Sequence, residues 1–422
     1  MLFLYRLIIN ILYPFIFLII YIRMLIGKED KKRFKEKLYP SYFGGKKSVN
    51  KKLIWFHAAS IGEFLSIISL LKKIDKKKKK TNFLVTTSTK SSGELFKKEL
   101  EKYSNVTHRY FPIDHPILVD KFLNEWNPKL AILVDSEIWP NFITEINKRK
   151  IPLILINGRI TKKTFKKWKF FPQFSKKIFG CFDLCLAANK DSKKNLLNLN
   201  ANNVKFLGNL KFTSKIKEVK LDKKNKFIIK NKNLWCAAST HFGEDSIILK
   251  THIMLQKNNK NVLTIIVPRH INRVKEIKSM AKNMSLKTQI LNENDIINKN
   301  VDIIIINSFG VLLKIFTYCK LIFMGKSLLE KKKLVGGQNP IEAAKLGCKI
   351  YHGPYVYNFR EIYELLKSKS ISFEIQNEKE LAKNLNVDFK IKKRINVKIV
   401  KKINRYGEKI LINTLIPLNK FL

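Results

Sequence analysis

The chain has 422 residues, of which 45% are hydrophobic, so it can hold two domains with full cores and is not an intrinsically disordered protein. Its five scattered cysteines exclude a scaffold held together by disulfides. The formal net charge of +50 favours an anionic partner, namely phospholipid, a phosphorylated substrate or nucleic acid. An AT-rich genome explains the abundance of Lys, Asn and Ile equally well, so charge alone does not choose the partner.

The first 27 residues are apolar or aromatic almost throughout, with Arg6 and Arg23 as their charges. The charge-free run from Leu7 to Ile22 is slightly shorter than the ~20 residues that span a bilayer, and Pro14 is expected to kink it. A basic segment follows, without a small-residue cleavage site. We therefore predict an uncleaved membrane anchor over residues 1–28, either spanning the bilayer or lying in its interface. The alternative is a buried first helix.

Short apolar runs then alternate with helical patterns, which predicts βαβ units with right-handed crossovers. The runs in the first half are KLIWFHA, NFLVTTS, LAILVDS, IPLILIN and LCLAAN, and those in the second half are LWCAAS, VLTIIVP, DIIIIN, KLIFMG and CKIYHG. Two such series predict an α/β protein with two doubly wound domains. The polar segment KFTSKIKEVKLDKKNK is the predicted linker, which gives domains over residues 29–215 and 216–422.

The two halves begin with similar sequences, AASIGE at residues 58–63 and AASTHFGE at 237–244, each after an apolar strand. In the first, Ser60 and Glu63 have the spacing of a capping box. Gly62 costs about 1 kcal/mol inside a helix relative to alanine, which favours a turn that a substrate approaches. Glu63 is therefore either a helix cap or the group that performs chemistry.

Two further strand ends in the first half carry charged candidates. VDSEIWPN places Asp135 and Glu137 after a buried strand, and alternation directs both carboxylates the same way. Such a pair can orient hydroxyls or tune each other's pKa, and the alternative is a capping role. GNLKF places Lys211 near the predicted domain crossing, where it can stabilise developing negative charge.

The segment VGGQNPIEAAKLG is the most informative phosphate signal in the second half. Asn339 is a suitable N-cap, Pro340 suits the first helical position and Glu342 then occupies the third. Gly336 and Gly337 allow backbone to approach a ligand, and the helix start favours an anion. The alternative is simply a well-capped helix.

Two other strand ends in the second half can contact a nucleotide. Arg269 follows the strand of IIVPRHINR and suits bidentate phosphate contact, although a surface arginine is the alternative. In INSFGVLLKIF, Phe309 and Gly310 can line a base or approach phosphate, unless this is an ordinary strand–helix turn. The chain has no GxxxxGK[ST], HExxH or GxSxG motif, and its histidines are scattered. We therefore expect chemistry without a metal, a cofactor or a covalent serine.

Nine segments, in order from about residue 53 to 366, together resemble the 3-deoxy-D-manno-octulosonic acid (Kdo) transferases of lipopolysaccharide synthesis. They are WFHAASIGE, TTSTKSSGE, VDSEIWPNFI, KRKIPLILINGRIT, GNLKF, AASTHFGE, VPRHINR, LVGGQNPIEAAKLG and GPYVYNF. The resemblance implies an inverting two-domain GT-B glycosyltransferase at the cytoplasmic side of the cell inner membrane. Its donor would be CMP-Kdo, its acceptor the anionic lipid A precursor lipid IVA, and the membrane surface its further partner.

The resemblance also assigns roles to residues. It implies that Glu63 is the catalytic base and that Asp135, a glutamate in the family pattern, stabilises the transition state with Lys211. The CMP contacts it implies are Pro268, Arg269, Phe309, Gly310, Val311, Asn339, Pro340, Ile341 and Glu342. The family usually has Met-Gly-Glu at Phe309–Val311 and His at Gln338, so this chain departs at both places.

The sequence is also compatible with two other functions. One is a GT-B transferase that uses another nucleotide sugar. The other is a non-catalytic protein that binds anionic membranes or nucleic acid through its basic charge. The chain lacks a basic stripe interleaved with aromatic residues, so nucleic acid is not the expected partner.

Overall fold

A computed structural model describes residues 1–44, 51–78, 81–216, 222–293, 295–308, 310–330, 336–391 and 397–422. The chain divides into two compact units, Met1–Ser214 with Tyr406–Leu422, and Lys215–Arg405. The sequence analysis assigned everything from residue 216 onward to the second domain, whereas the last 17 residues pack in the first unit. There the Tyr406 ring stands edge-on to Phe212, and Lys52 Nζ donates to the Phe421 carbonyl at 2.7 Å.

The first unit contains a seven-stranded parallel sheet in the order β3-β2-β1-β4-β5-β6-β7. Its strands are β1 (Lys52–His57), β2 (Thr81–Thr87), β3 (Val106–Tyr110), β4 (Leu130–Val134), β5 (Leu153–Gly158), β6 (Leu184–Ala187) and β7 (Val204–Phe206). Its helices are α1 (Leu2–Leu25), α2 (Ile61–Lys77), α3 (Lys90–Leu100), α4 (Pro116–Trp126), α5 (Pro140–Lys148), α6 (Lys162–Lys169), α7 (Pro172–Phe179) and α8 (Lys190–Asn198). Crossovers between parallel strands are right-handed as a rule, so this strand order is expected to place the helices of the two sheet halves on opposite faces.

The second unit repeats this design with the strand order β10-β11-β9-β8-β12-β13-β14. Its strands are β8 (Asn233–Thr240), β9 (Val262–Pro268), β10 (Thr288–Leu291), β11 (Ile303–Ile306), β12 (Leu321–Met324), β13 (Lys349–His352) and β14 (Ser372–Glu374). Its helices are α9 (Lys223–Ile229), α10 (Glu244–Gln256), α11 (Val274–Asn283), α12 (Leu312–Tyr318), α13 (Ile341–Lys345), α14 (Arg360–Lys367) and α15 (Glu378–Lys390), and the last helix of the chain is α16 (Val397–Leu418).

All ten strands expected from apolar runs are present, because the inner strands of a parallel sheet are covered on both faces. β4, for example, is buried at all five positions and β9 at all seven. The four strands that the sequence analysis missed, β3, β7, β10 and β14, all lie at sheet edges. Edge strands are short or half-exposed, so their sequences lack a continuous apolar run.

Each sheet has one point from which the chain builds outward in both directions. In the first unit β1 and β4 are neighbours, and in the second unit β8 and β12 are neighbours. The loops that follow two such strands diverge, which leaves a crevice at their carboxyl ends where ligands of doubly wound proteins bind. The loop after β1 leads to Glu63 and the loop after β4 begins at Asp135, so this topology brings the two candidates together.

The N-terminal helix α1 continues through Pro14 and is long and apolar enough to cross a membrane. One face of it nevertheless packs on the first unit. Tyr5 Oη donates to the buried Asp114 carboxylate at 2.8 Å, and Tyr13 Oη donates to the Leu38 carbonyl at 3.2 Å. Ile20 packs in a small cluster with aromatic neighbours. The remaining face exposes large apolar side chains, with Phe3, Ile11 and Phe15 each more than 60% exposed.

Candidate active site

Glu63 lies in the first turn of α2, at the carboxyl end of β1. Ser60 is the N-cap, and its Oγ accepts the Glu63 N–H at 3.4 Å. The carboxylate reaches back, so that Oε2 accepts the Ala59 N–H and Oε1 accepts the Ser60 hydroxyl, both at 2.8 Å. The capping box is thus present in a shifted form, because Ala59 and not Ser60 supplies the amide. A carboxylate has about four acceptor sites, and these two bonds leave room for a substrate hydroxyl.

The surroundings of Glu63 make it a better base than an exposed glutamate. Burial of the carboxyl raises its pKa above 4.5, and the Ser60 hydrogen bond opposes this shift only in part. The negative charges of Asp135 and Glu137 raise the pKa further. A general base works best when its pKa lies near the operating pH, so the shift is in the useful direction.

Asp135 occupies a backbone conformation that is unusual for a residue other than glycine. Its φ of 63° lies in the left-handed region, which costs about 1–2 kcal/mol per residue. Two backbone hydrogen bonds hold it there, from Asp135 N–H to the Ile156 carbonyl and from Arg159 N–H to the Asp135 carbonyl, both 3.0 Å. Strain of this kind persists where the surrounding structure enforces it, often at functional sites.

The Asp135 carboxylate lies next to the Lys211 ammonium group, as the proposed joint role of these two residues requires. Oδ2 lies 3.5 Å from Lys211 Nζ, and Oδ1 accepts the Ser136 hydroxyl at 3.0 Å. Lys211 is held in the short 3₁₀ helix Leu210–Thr213, where its N–H donates to the Asn209 side chain. The pair therefore places an ammonium group in the region of the Glu63 crevice, because Asp135 is close enough to raise the Glu63 pKa.

Glu137 differs from Asp135 in its environment, although both were candidates on the same grounds. Its Oε2 lies 3.0 Å from His57 Nε2 and accepts the Trp139 indole N–H at 2.7 Å. Burial raises the pKa of Glu137, but its bonds to His57 and Trp139 outweigh burial and the net pKa is lowered. Glu137 is thus held as an anion, and its charge acts on Glu63.

The sequence analysis did not identify His57 as part of this site. Its ring is fully buried, stacks on Phe111 with centroids 3.7 Å apart, and places Nδ1 3.0 Å from Thr86 Oγ1. The only signal was its position at the end of β1, three residues before Ser60. His57 links that strand end to Glu137, across 80 residues of sequence.

In the second unit, Arg269 lies directly after β9, which ends at Pro268. Its N–H donates to the Thr240 carbonyl at 3.0 Å, and its side chain is exposed. Within the described ranges, that side chain makes no hydrogen bond or ion pair, so it is available to an anionic ligand.

The candidates of the segment INSFGV are only partly described. Phe309 lies outside the described residues. Gly310 has a φ of 79° and open space where a side chain would be, and Val311 is the N-cap of α12. Backbone at Gly310 is therefore accessible to a ligand.

The helix predicted to start after Asn339 begins one residue later than expected. Pro340 is its N-cap, α13 spans only Ile341–Lys345, and Glu342 is at the second helical position instead of the third. Asn339 still binds the helix start, because its Oδ1 accepts the Ile341 N–H at 3.2 Å in an Asx-type turn over Pro340. Burial raises the pKa of Glu342. A helix this short has a weak dipole, so it adds less to anion binding than the sequence indicated.

The sequence analysis expected the two glycines before this helix to let a ligand approach the backbone, but the structure gives a different reason for glycine at these positions. A side chain at Gly336 would collide with the Tyr355 carbonyl, and Gly337 has a φ of 80° and lies against Val356. Both are therefore required by packing within the chain itself. Among the described residues, no cluster of three or more His, Cys, Asp or Glu is placed to hold a metal ion.

Comparison with known proteins gives consistent relatives along nearly the whole chain. A family model described as 3-Deoxy-D-manno-octulosonic-acid transferase (kdotransferase) matches residues 32–214, which include Glu63, Asp135 and Lys211. The 3-deoxy-D-manno-octulosonic acid transferase of Rickettsia bellii is 33% identical, over 88% of this chain and 87% of its own. The transferase of the same name from Haemophilus influenzae is 28% identical, over 79% of this chain and 78% of its own.

Solved structures agree on the architecture. HepE of Anabaena in complex with UDP is similar with a TM-score of 0.57 at 11% identity, over 87% of this chain and 100% of HepE. At so low a sequence identity, this similarity indicates a shared fold and nothing about function. The chain has the α/β GT-B fold, as the resemblance implied, with two parallel sheets and an apolar N-terminal helix.

Proposed function

This chain belongs to the Kdo transferase family, and from that premise we propose that it is an inverting glycosyltransferase that moves Kdo from CMP-Kdo to lipid IVA. The observation that carries the proposal is the state of Glu63. Its carboxylate is half-buried, has an elevated pKa and keeps acceptor capacity beyond its two protein hydrogen bonds. A helix cap alone does not require these properties.

In the proposed reaction, a primary hydroxyl of the acceptor glucosamine attacks the anomeric carbon of Kdo. Glu63 accepts the hydroxyl proton as the new C–O bond forms, and the bond from the anomeric carbon to the CMP phosphate breaks. Attack and departure occur on opposite faces, so the anomeric centre inverts. Lys211, oriented by Asp135 at 3.5 Å, supplies positive charge where negative charge develops.

The donor is assigned to the second unit. The exposed Arg269 guanidinium is suited to the CMP phosphate, because charge-assisted hydrogen bonds are the stronger ones. Backbone at Gly310 and the turn from Asn339 to Glu342 complete the proposed contacts, with Pro268, Val311 and Phe309 carried over from the family resemblance. Since α13 has only five residues, Arg269 supplies most of the stabilisation of the leaving phosphate.

The direct test is to incubate the purified protein with CMP-Kdo and lipid IVA and to measure the product mass. We expect the acceptor mass to rise by one or more Kdo units, with release of CMP. A panel of other nucleotide sugars serves as the matched control. Transfer from another sugar nucleotide in place of CMP-Kdo would instead support the alternative GT-B donor. Steeply salt-dependent binding to anionic surfaces without any transfer would support the non-catalytic alternative.

The N-terminal helix is proposed to hold the enzyme on the cytoplasmic face of the inner membrane. Its docked face is occupied by Tyr5 and Tyr13, whereas its outer face is apolar and exposed. The basic charge of the chain further favours an anionic lipid surface. The same location brings the enzyme to its lipid acceptor.

Replacing Phe3, Ile11 and Phe15 together with serine is expected to release the protein from vesicles that contain phosphatidylglycerol. Each buried side chain of this size contributes about 1.5–3 kcal/mol of transfer free energy. Co-sedimentation with vesicles is the measurement, and Tyr13→Phe, which alters only the docked face, is the control. Unchanged sedimentation of the triple variant, with a normal melt, would exclude the outer face as the anchor.

A further inference from the structure

The loop after β8 lies at the crevice of the second unit, where its sheet builds outward in both directions. This loop carries His241 and Phe242, and neither belongs to the donor contacts assigned above. It corresponds in position to the loop after β1, which carries the start of α2 and Glu63 in the first unit. The two loops have related sequences, AASIGE and AASTHFGE, and the second is two residues longer.

The glutamates of these two loops are used differently. Glu63 accepts two hydrogen bonds, from Ala59 and Ser60. Glu244 is 1% exposed and accepts four backbone amides. These come from His241 at 3.0 Å, Lys326 at 2.6 Å, Ser327 at 2.9 Å and Leu328 at 3.1 Å. Glu244 therefore has no capacity left for a substrate proton, and it ties the longer loop to the turn after β12.

His241, which the longer loop supplies, lies between the two segments assigned to the donor. Its ring is perpendicular to that of His270, with centroids 5.7 Å apart, and His270 is the neighbour of Arg269. On the other side, His241 Nε2 lies 3.2 Å from Gln338 Nε2, and Gln338 is the neighbour of Asn339. Residues distant in the sequence thus converge on one imidazole.

We propose that His241 is a further donor-binding residue that contacts the phosphate of CMP-Kdo; this rests on the proposed function. An imidazole supplies a ring N–H to an anionic oxygen, whereas the nearby carboxylate of Glu244 is occupied by amides. Arg269, next to His270, makes the same side of the crevice electropositive. The Gln338 amide fixes the orientation of the ring, as the partner of a liganding histidine commonly does.

Hydrogen bonds to the surrounding residues fix the position of His241. The Glu244 carboxylate fixes its backbone N–H. The Lys326 carbonyl of the adjoining turn accepts the Gly337 N–H, which locates the start of the segment carrying Gln338. The Tyr363 hydroxyl donates to the Gln338 carbonyl at 3.0 Å. The backbone of both partners in the His241–Gln338 contact is therefore held by hydrogen bonds with other side chains.

His241→Ala tests the proposal, with the affinities for CMP and for cytidine measured by calorimetry. We expect roughly tenfold weaker CMP binding and unchanged cytidine binding, because only the phosphate contact is lost. The KM for CMP-Kdo should rise similarly, with little change in the KM for the acceptor. Lys250→Ala, which removes an exposed charge from helix α10, the helix that follows the loop carrying His241, is the control and should bind CMP as the parent does.

The outcomes separate this inference from the proposed function. A parent protein that does not bind CMP would overturn the assigned donor. A parent that binds CMP, together with a His241→Ala variant of equal affinity, would overturn the role of His241 alone, as would an equal loss for cytidine. If His241→Ala gives no cooperative melt, Gln338→Ala is measured in its place. That variant keeps the imidazole but frees its orientation, so about threefold weaker CMP binding is expected and equal affinity would contradict the proposal.

Discussion

Glu63→Gln is expected to lower the rate of Kdo transfer by about 10²–10⁴-fold while the melting temperature stays near that of the parent. The glutamine oxygen can still accept the Ala59 N–H, and its amide can donate to the Ser60 hydroxyl, so both cap contacts survive. The amide has almost no basicity, so it cannot accept the proton of the acceptor hydroxyl. Transfer rate, melting temperature and CMP affinity should be measured on one preparation.

The chain offers a matched control for this variant. Glu380 occupies the same position in the first turn of α15, where its N–H donates to the Asn377 side chain and its Oε2 accepts the Gln376 N–H at 2.8 Å. Glu380→Gln therefore makes the same chemical change in a helix cap outside the proposed site, and we expect no loss of rate. If Glu63→Gln melts lower yet transfers Kdo near the parent rate, Glu63 is only a cap and the base is Asp135 or Glu137.

The pH dependence of the parent follows from the same carboxylate. Burial and the charges of Asp135 and Glu137 raise the Glu63 pKa, so the proton is retained to a higher pH than the usual 4.5. Protonated Glu63 cannot act as the base. Transfer should therefore fall as the pH drops, with the acid limb lying above pH 4.5, and the limb should be absent in Glu63→Gln.

Glu244→Gln is expected to destabilise the second unit by about 2–6 kcal/mol, the opposite outcome from the same substitution at Glu63. The glutamine side chain has one acceptor oxygen where the carboxylate has two. Two of the four amides bound to Glu244 thus lose their acceptor and face an N–H group. Each unsatisfied buried donor costs about 1–3 kcal/mol.

Hydrogen exchange gives the sharpest measurement, because it reports on the affected amides directly. Faster exchange is expected in the turn that contains Lys326, Ser327 and Leu328, together with a lower melting temperature. Glu380→Gln again serves as the control, since among the described residues its half-buried carboxylate accepts a single backbone amide, that of Gln376. Unchanged exchange in this turn would mean that the Glu244 contacts contribute little to the fold.

Local features of the sequence were sufficient for the inner framework. The continuous apolar runs of β1, β4 and β8 are recognisable because both faces of an inner parallel strand are buried. The cap at Ser60 was likewise predictable, because a cap involves residues within one turn of the helix. The order of the motifs in the sequence is enough to indicate the family, and the family model matches the part of the chain that holds Glu63.

Only the tertiary structure could separate residues of the same type. Asp135 binds Lys211, whereas Glu137 binds His57, and these contacts bridge 76 and 80 residues. Likewise Glu63 and Glu244 lie in similar local sequences but differ in their hydrogen bonding. Backbone amides 82 to 84 residues further along the chain donate to Glu244, whereas Glu63 accepts hydrogen bonds from its own loop. Sequence periodicity reports which side of a helix or strand is buried, whereas the pKa and hydrogen-bonding capacity of a carboxylate depend on groups that distant segments bring to it.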